Sequence, residues 1–142
     1  MEVSEVRRRL RAAIERARQT AAERRTRADA AQRHYEAFLA ERAVPVCQQV
    51  AAALTGEGHP YKVFTPAGAV RLASQRSAES FIELTLDSSS DPPEVMAQIS
   101  RGRGRGRMTD EHPLRPGVPV SELSADDVLE FLVREVVALL ER

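Results

Sequence analysis

The sequence predicts an α+β fold, in which a long, coiled-coil-like N-terminal helix and a short helix precede an antiparallel β-meander of about four to five strands and a C-terminal amphipathic helix packed on the sheet. Residues 2–42 contain no glycine or proline, residues 61–114 form short strand-like segments divided by turn residues, and residues 125–140 carry apolar residues at helical spacing. Because nothing in this order forms a parallel crossover unit, the class is α+β.

The first predicted element is a helical arm over residues 1–43, which is rich in alanine, glutamate and arginine. Its apolar and small residues recur at alternating spacings of three and four, the heptad pattern of a coiled coil. At about 1.5 Å per residue the arm would run roughly 60 Å, farther than a compact body of about 100 residues extends. We therefore expect self-association, most simply as a dimer, over docking of the arm on its own domain. The residues expected at this interface are Leu10, Ile14, Ala17, Ala21, Tyr35 and Phe38.

A compact α+β domain is predicted over residues 44–142. Pro45 is expected to end or bend the arm, because proline lacks the backbone N–H that a helix interior requires. Apolar residues then repeat at helical spacing up to Gly56, which predicts a second, short helix. Cys47 is the only cysteine in the chain, so no internal disulfide can form, and its apolar neighbours predict a buried, unreactive thiol.

The meander is predicted to begin with a hairpin. Strand-like residues at 61–65 and 69–73 flank the turn sequence at 66–68. A third strand is expected over residues 80–86, with Ile82, Leu84 and Leu86 facing inward and Phe81 among the outward residues. A polar segment rich in serine and proline ends this strand.

An alternation of arginine and glycine follows the fourth predicted strand, residues 94–100. If that strand continued unbroken, the arginines would keep the inward parity of its apolar residues and enter the core at a high desolvation cost. We therefore expect the parity to break, either at a hairpin turn near Gly104 or Gly106 or at a glycine bulge, before a return strand over residues 108–114. The arginines of this predicted hairpin are Arg101, Arg103, Arg105 and Arg107.

The last predicted element is a helix that ends at Leu140 and covers the sheet. Ser124 is its expected N-cap, and Asp126 and Asp127 follow in the first turn, where the helix dipole favours negative charge. Its apolar residues form one broad face that we expect to pack on the sheet. These residues are Val128, Leu129, Leu132, Val133, Val136, Val137 and Leu140.

The formal net charge is zero, but the charge is unevenly spread. Residues 1–43 hold 11 arginines and 7 acidic residues, whereas residues 108–142 hold 3 arginines and 8 acidic residues. The apolar runs are too short for a membrane-spanning helix, and the charged N-terminus does not resemble a signal peptide. We therefore expect a cytoplasmic protein with no membrane contact.

No pattern in the sequence identifies a catalytic, cofactor or metal site. His34, His59 and His112 lack the spacing of a metal site, and the serines lack the turn sequence of an activated nucleophile. The glycines do not form a phosphate-binding loop. We therefore expect neither enzymatic activity nor a bound cofactor or metal.

The arginine run is the remaining functional candidate. Arginine pairs with carboxylate or phosphate, so the run predicts a binding face for an acidic protein surface on a homo-oligomeric adaptor. The alternative function is nucleic-acid binding through residues 101–107 and the basic N-terminal helix, against which the absence of net positive charge weighs. In a third, purely structural interpretation, the arginines pair with acidic residues either of a partner subunit or of the closing helix, where the candidates are Asp126, Asp127 and Glu130.

Overall fold

The computed structural model of the chain describes residues 1–103 and 106–141. Its helices are α1 (Val3–Phe38), α2 (Val44–Gly56) and α3 (Ala125–Leu140), with a π-helical turn at Leu39–Ala43 and a short 3-10 turn at Val120–Glu122. Its strands are β1 (Tyr61–Phe64), β2 (Val70–Ser74), β3 (Phe81–Asp87), β4 (Glu94–Arg103) and β5 (Gly106–Pro113). The strands form one antiparallel sheet in the order β1-β2-β3-β4-β5, so the predicted α+β meander is confirmed.

The helix does not end at Pro45, which was one of the two outcomes expected there. The π-helical turn joins α1 to α2 without leaving helical backbone, and the Val44 N–H donates to the Leu39 carbonyl oxygen five residues earlier. Proline cannot donate to the carbonyl four residues before it, so a widened turn directly upstream accommodates the ring. The two predicted helices are therefore one continuous helix, and the predicted boundary between residues 43 and 44 falls inside it.

The core lies between one face of the sheet and a layer formed by the end of α1, α2 and α3. Burying each large apolar side chain contributes roughly 1.5–3 kcal/mol. The largest fully buried apolar side chains are Tyr35, Phe38, Leu72, Ile82, Leu84, Ile99, Leu123 and Leu132. Cys47 is also buried, and desolvation raises the pKa of its thiol to about 12, so the predicted burial is confirmed and the unreactive thiol stays a prediction.

Phe81 has the predicted outward direction, yet it is buried. It pairs with Ala73 and Ser100, which lie on the face opposite to Ile82. The Arg71 guanidinium carbon stacks 3.9 Å from the centre of the Phe81 ring. The alternating pattern predicted that Phe81 would face solvent, but neighbouring side chains on the outer face of the sheet cover it instead.

The predicted N-terminus of the closing helix is confirmed. The Ser124 hydroxyl accepts a hydrogen bond from the Asp127 N–H at 3.1 Å, and the Asp127 carboxylate accepts one from the Ser124 N–H at 2.9 Å. This reciprocal pair is a capping box, which satisfies two backbone donors at the start of α3. The backbone N–H of Ser124 also lowers the pKa of Asp127.

In the part of the chain that the structure describes, no helix combines the length and apolar character needed to cross a membrane. The cytoplasmic location stays a prediction.

Candidate interaction surfaces

The arginine run forms the end of a two-stranded antiparallel ribbon. Arg101 lies opposite Met108, Gly102 opposite Arg107, and Arg103 opposite Gly106. This register confirms that β4 and β5 are the two strands of the expected hairpin. Gly106 belongs to β5 rather than to the turn, so the return strand begins two residues before its predicted start. The other predicted turn position, Gly104, lies outside the described residues.

Of the two expected breaks in parity, the glycine bulge does not occur in β4 as far as Arg103. Arg101 stays on the face of Ile99 with regular pairing and no bulge, yet it is only partly buried. The reason is that β5 is exposed on both faces, which places the distal ribbon beyond the cover of the helical layer. Keeping the Arg101 side chain on this face carries a desolvation cost at one atom. Its Nε is buried and has no hydrogen-bond partner among the described residues.

The described arginines do not form a one-sided row. Residues directly opposite each other in an antiparallel pair share a face, so Arg107 lies on the face of Gly102 and Arg101 lies on the other. Arg107 is exposed. Arg105 and the side chain of Arg103 lie outside the described part of the structure. The ribbon therefore offers arginine on both of its faces.

Gly102 permits a close approach to the segment between β2 and β3. A Cβ atom at this position would lie 2.8 Å from the Ser77 hydroxyl oxygen. The Gly102 N–H donates to the Ser80 hydroxyl at 3.3 Å, and the Ser100 hydroxyl donates to the Glu79 carbonyl oxygen at 2.6 Å. These contacts brace the base of the ribbon, a packing role that the arginine–glycine alternation does not indicate.

One of the three acidic residues of α3 that were expected to pair with the hairpin arginines has other partners. Asp127 accepts a hydrogen bond from Arg115 Nη1 at 3.0 Å, in addition to its bond from Ser124. Asp126 and Glu130 are exposed. The contacts described for Asp127 are therefore with Ser124 and Arg115, and not with the hairpin.

The structure divides the residues predicted for the oligomer interface into two groups. Leu10, Ile14, Ala17 and Ala21 lie on the exposed part of α1, with Leu10 57% exposed and Ile14 50% exposed. Tyr35 and Phe38 are buried in the core of their own chain, with ring centres 6.4 Å apart. Only the first group is available to a second molecule.

The exposed apolar stripe of the arm extends to the start of α1. Val3 and Val6 continue the row of Leu10 and Ile14, and Arg7 and Arg11 lie beside it around a shallow hollow. Arg8 and Arg9 instead pair with Glu5 on the same helix. We name Val3, Val6, Leu10 and Ile14 the arm stripe.

The arm leaves the body at a salt bridge with the loop between β3 and β4. Arg27 donates to both carboxylate oxygens of Asp91, from Nε at 3.1 Å and from Nη2 at 2.9 Å. Arg24 Nε lies 3.6 Å from the same carboxylate. The hydrogen bonds from Arg27 lower the pKa of Asp91. Every residue from 6 to 27 is exposed, so the arm projects from the body before this point.

A second apolar surface lies between α2 and α3, where the sequence predicted a covered face. Val128, Leu132 and Val136 are buried as expected, but the neighbouring apolar row of α3 is exposed and lines a groove of about 290 Å³. The apolar arc of α3 is wider than the sheet can cover, and that width is the signal that sequence reasoning missed. We name this surface the α2–α3 groove. Its apolar lining is Val50, Ala53, Leu54, Leu129, Val133, Val136, Val137 and Leu140.

The described residues contain no cluster of three or more histidine, cysteine or acidic side chains placed to hold a metal ion. The absence of enzymatic activity stays a prediction.

The fold and surfaces define an α+β meander protein with a projecting helical arm. Comparison of the chain with protein-family models, curated proteins and solved structures found no match.

Proposed function

We propose that this chain is a non-enzymatic, homo-oligomeric interaction module, most simply a dimer, that assembles through its arm and presents the arginine hairpin to an acidic protein surface. The observation that carries the proposal is the exposed arm stripe on a helix that projects from the body. Monomeric surfaces commonly carry scattered apolar residues, but a continuous row along one projecting helix indicates an interaction site.

The energetics of the arm favour a partner. Helices in water gain most of their stability from packing an apolar face, and residues 6–27 are exposed along their whole length. Pairing of Arg8 and Arg9 with Glu5 supplies only a small local contribution. Burial of the arm stripe against a second molecule would supply the missing packing energy.

The charges around the hairpin favour an acidic protein surface. Arg107 is exposed on β5, and Asp110 and Glu111 follow on the same strand. This mixture of signs suits individual ion pairs with carboxylates better than a uniformly negative phosphate backbone. A cytoplasmic location is part of the proposal.

Nucleic-acid binding is the second candidate, supported by the exposed arginines of the arm. Arg7, Arg8, Arg9 and Arg11 occupy its first three turns. Glu5 partly neutralises this cluster through Arg8 and Arg9. The uniform positive field that drives phosphate binding is therefore weakened.

Replacement of the four hairpin arginines by alanine distinguishes these functions. A labelled peptide in which glutamate alternates with serine, and labelled single- and double-stranded DNA and RNA, would be titrated with the full chain between about 50 and 200 mM salt. We expect the full chain to bind the peptide, and the variant to bind it with at least tenfold lower affinity. Neither protein should bind nucleic acid at low salt. The matched control removes the same charge from exposed arm positions and should retain peptide binding. It consists of Arg16→Ala, Arg18→Ala, Arg25→Ala and Arg33→Ala.

Nucleic-acid binding that the hairpin variant abolishes would establish the second candidate instead. Failure of the full chain to bind any of these probes would contradict both binding roles of the hairpin.

A further inference from the structure

We infer that the α2–α3 groove receives the arm stripe of a second copy of this chain, and that the two copies exchange arms reciprocally. The inference rests on the proposed self-association and specifies the surface that the arm contacts. The usual alternative for a heptad-like arm is pairing with the arm of the other copy.

The groove has the form that an amphipathic helix fits. It is open to solvent between two helices, and its exposed residues on α3 recur every four positions at Leu129, Val133 and Val137. This row covers about two helical turns, or roughly 12 Å. The arm stripe from Val3 to Ile14 spans about 16 Å, so the two apolar rows have similar lengths. Docking of one helix in a groove between two others is a common recognition mode.

The charges beside the two surfaces have opposite signs. Arg7 and Arg11 lie beside the arm stripe. Glu57 lines the groove, Asp126 and Glu130 are exposed on α3, and Glu141 is exposed directly after it, all three within three or four residues of the apolar row. Two described arginines near these acids are engaged by other carboxylates, since Arg115 Nη1 lies 3.0 Å from Asp127 and Arg134 Nε lies 3.7 Å from Glu135. These complementary charges favour the arm as the occupant of the α2–α3 groove over an apolar segment that lacks positive charge.

The arm cannot dock in the groove of its own chain. Ile14 and Gln49, which lines the groove, belong to one continuous helix and are separated by 35 residues. At about 1.5 Å per residue, the two positions lie roughly 50 Å apart along a stiff rod. The arm tip that fills a groove must therefore come from another molecule, and a two-fold arrangement fills both grooves at once.

Point variants of the full chain test this arrangement. The arm variant is Leu10→Gln with Ile14→Gln, and the groove variant is Val133→Gln with Val137→Gln. All four positions are exposed, and glutamine has a good helix propensity, so the fold should persist by circular dichroism. Phe64→Gln is the matched control, because Phe64 is 51% exposed on the sheet.

We expect light scattering to show a dimer for the wild type and the control, and at least a tenfold weaker dimer for both the arm and the groove variants. An equimolar mixture of the two variants should form a mixed dimer in native mass spectrometry, because one intact arm then meets one intact groove.

Two results would overturn the inference. A groove variant that dimerises like the wild type while the arm variant is monomeric would show arm–arm pairing, and the proposed self-association would stand. A mixture that forms no more dimer than the separate variants would also contradict arm exchange. A wild-type chain that is monomeric would instead remove the proposed self-association itself.

Discussion

Tyr35 connects the helical layer to the turn of the first hairpin. Its ring is buried, and its hydroxyl donates to the Gly68 carbonyl oxygen at 2.7 Å. Gly68 has φ +73°, a conformation that glycine adopts without steric cost, so the turn holds this carbonyl in position. Burial, with a smaller effect of Glu83, raises the pKa of Tyr35 to about 12. The phenol is therefore a neutral structural donor.

Tyr35→Phe should lower the free energy of unfolding by about 0.5–1.5 kcal/mol, because it removes this hydrogen bond while keeping the ring. Urea denaturation followed by circular dichroism measures the loss. Tyr61→Phe is the matched control, since the Tyr61 ring is also buried and no hydrogen bond from its hydroxyl is described. Equal losses in the two variants would contradict the role given to the Tyr35 hydroxyl.

The burial of Phe81 and Tyr35 could not be predicted from sequence periodicity. The alternation in β3 correctly predicted the directions of Ile82 and Leu84 but not the burial of Phe81, which depends on Arg71 in a neighbouring strand. Likewise, Tyr35 belonged to the heptad pattern of the arm, yet it lies in the core. Periodicity predicts which face a side chain occupies, and only the tertiary fold decides what covers that face.

At the scale of elements, the strands were predictable because turn residues separate short alternating runs. The helical region was less predictable, because the helix continues past Pro45 through a π-helical turn that the local sequence does not indicate. The broad apolar face of α3 predicted burial on the sheet, but the row at Leu129, Val133 and Val137 faces the groove. The α2–α3 groove could not be predicted without the position of α2.

The bridge between Arg27 and Asp91 is the element-scale contact that holds the base of the arm. Asp91→Asn should increase amide hydrogen exchange in α1 around residues 20–30, because the variant lacks the carboxylate that Arg27 binds. Asp29→Asn is the matched control, since Asp29 is exposed on the same helix. Equal exchange in the wild type and Asp91→Asn would contradict an anchoring role for this bridge.

The same bridge predicts a dependence on pH. The pKa of Asp91 is lowered in the folded chain, so its contribution is fully present above the unfolded value near 3.8. The contribution is lost as the pH falls from that value through the lower folded pKa. Exchange measured at pH values on either side of this window should therefore show the arm loosening in acid, and Asp91→Asn should lack this change.

At the scale of the whole molecule, the structure separates a packed body from a projecting arm with a basic excess. The body has its own core, whereas the arm stripe has no cover within the chain as described. The sequence predicted the existence of the arm from its composition and the hairpin from the arginine–glycine run. It did not predict that the arm stripe ends near Ile14 as a separate surface, because the heptad pattern resumes after its interruption at Arg24 and continues into the core.

The central claim is that the exposed arm assembles the protein, and the light-scattering mass of the full chain tests it most directly. We expect about twice the monomer mass of 15.7 kDa. A chain that begins at Ala17 retains Arg27 and every core residue, and it should be folded and monomeric. A full-length mass of one monomer across the accessible concentration range, or an undiminished dimer after removal of residues 1–16, would contradict the account.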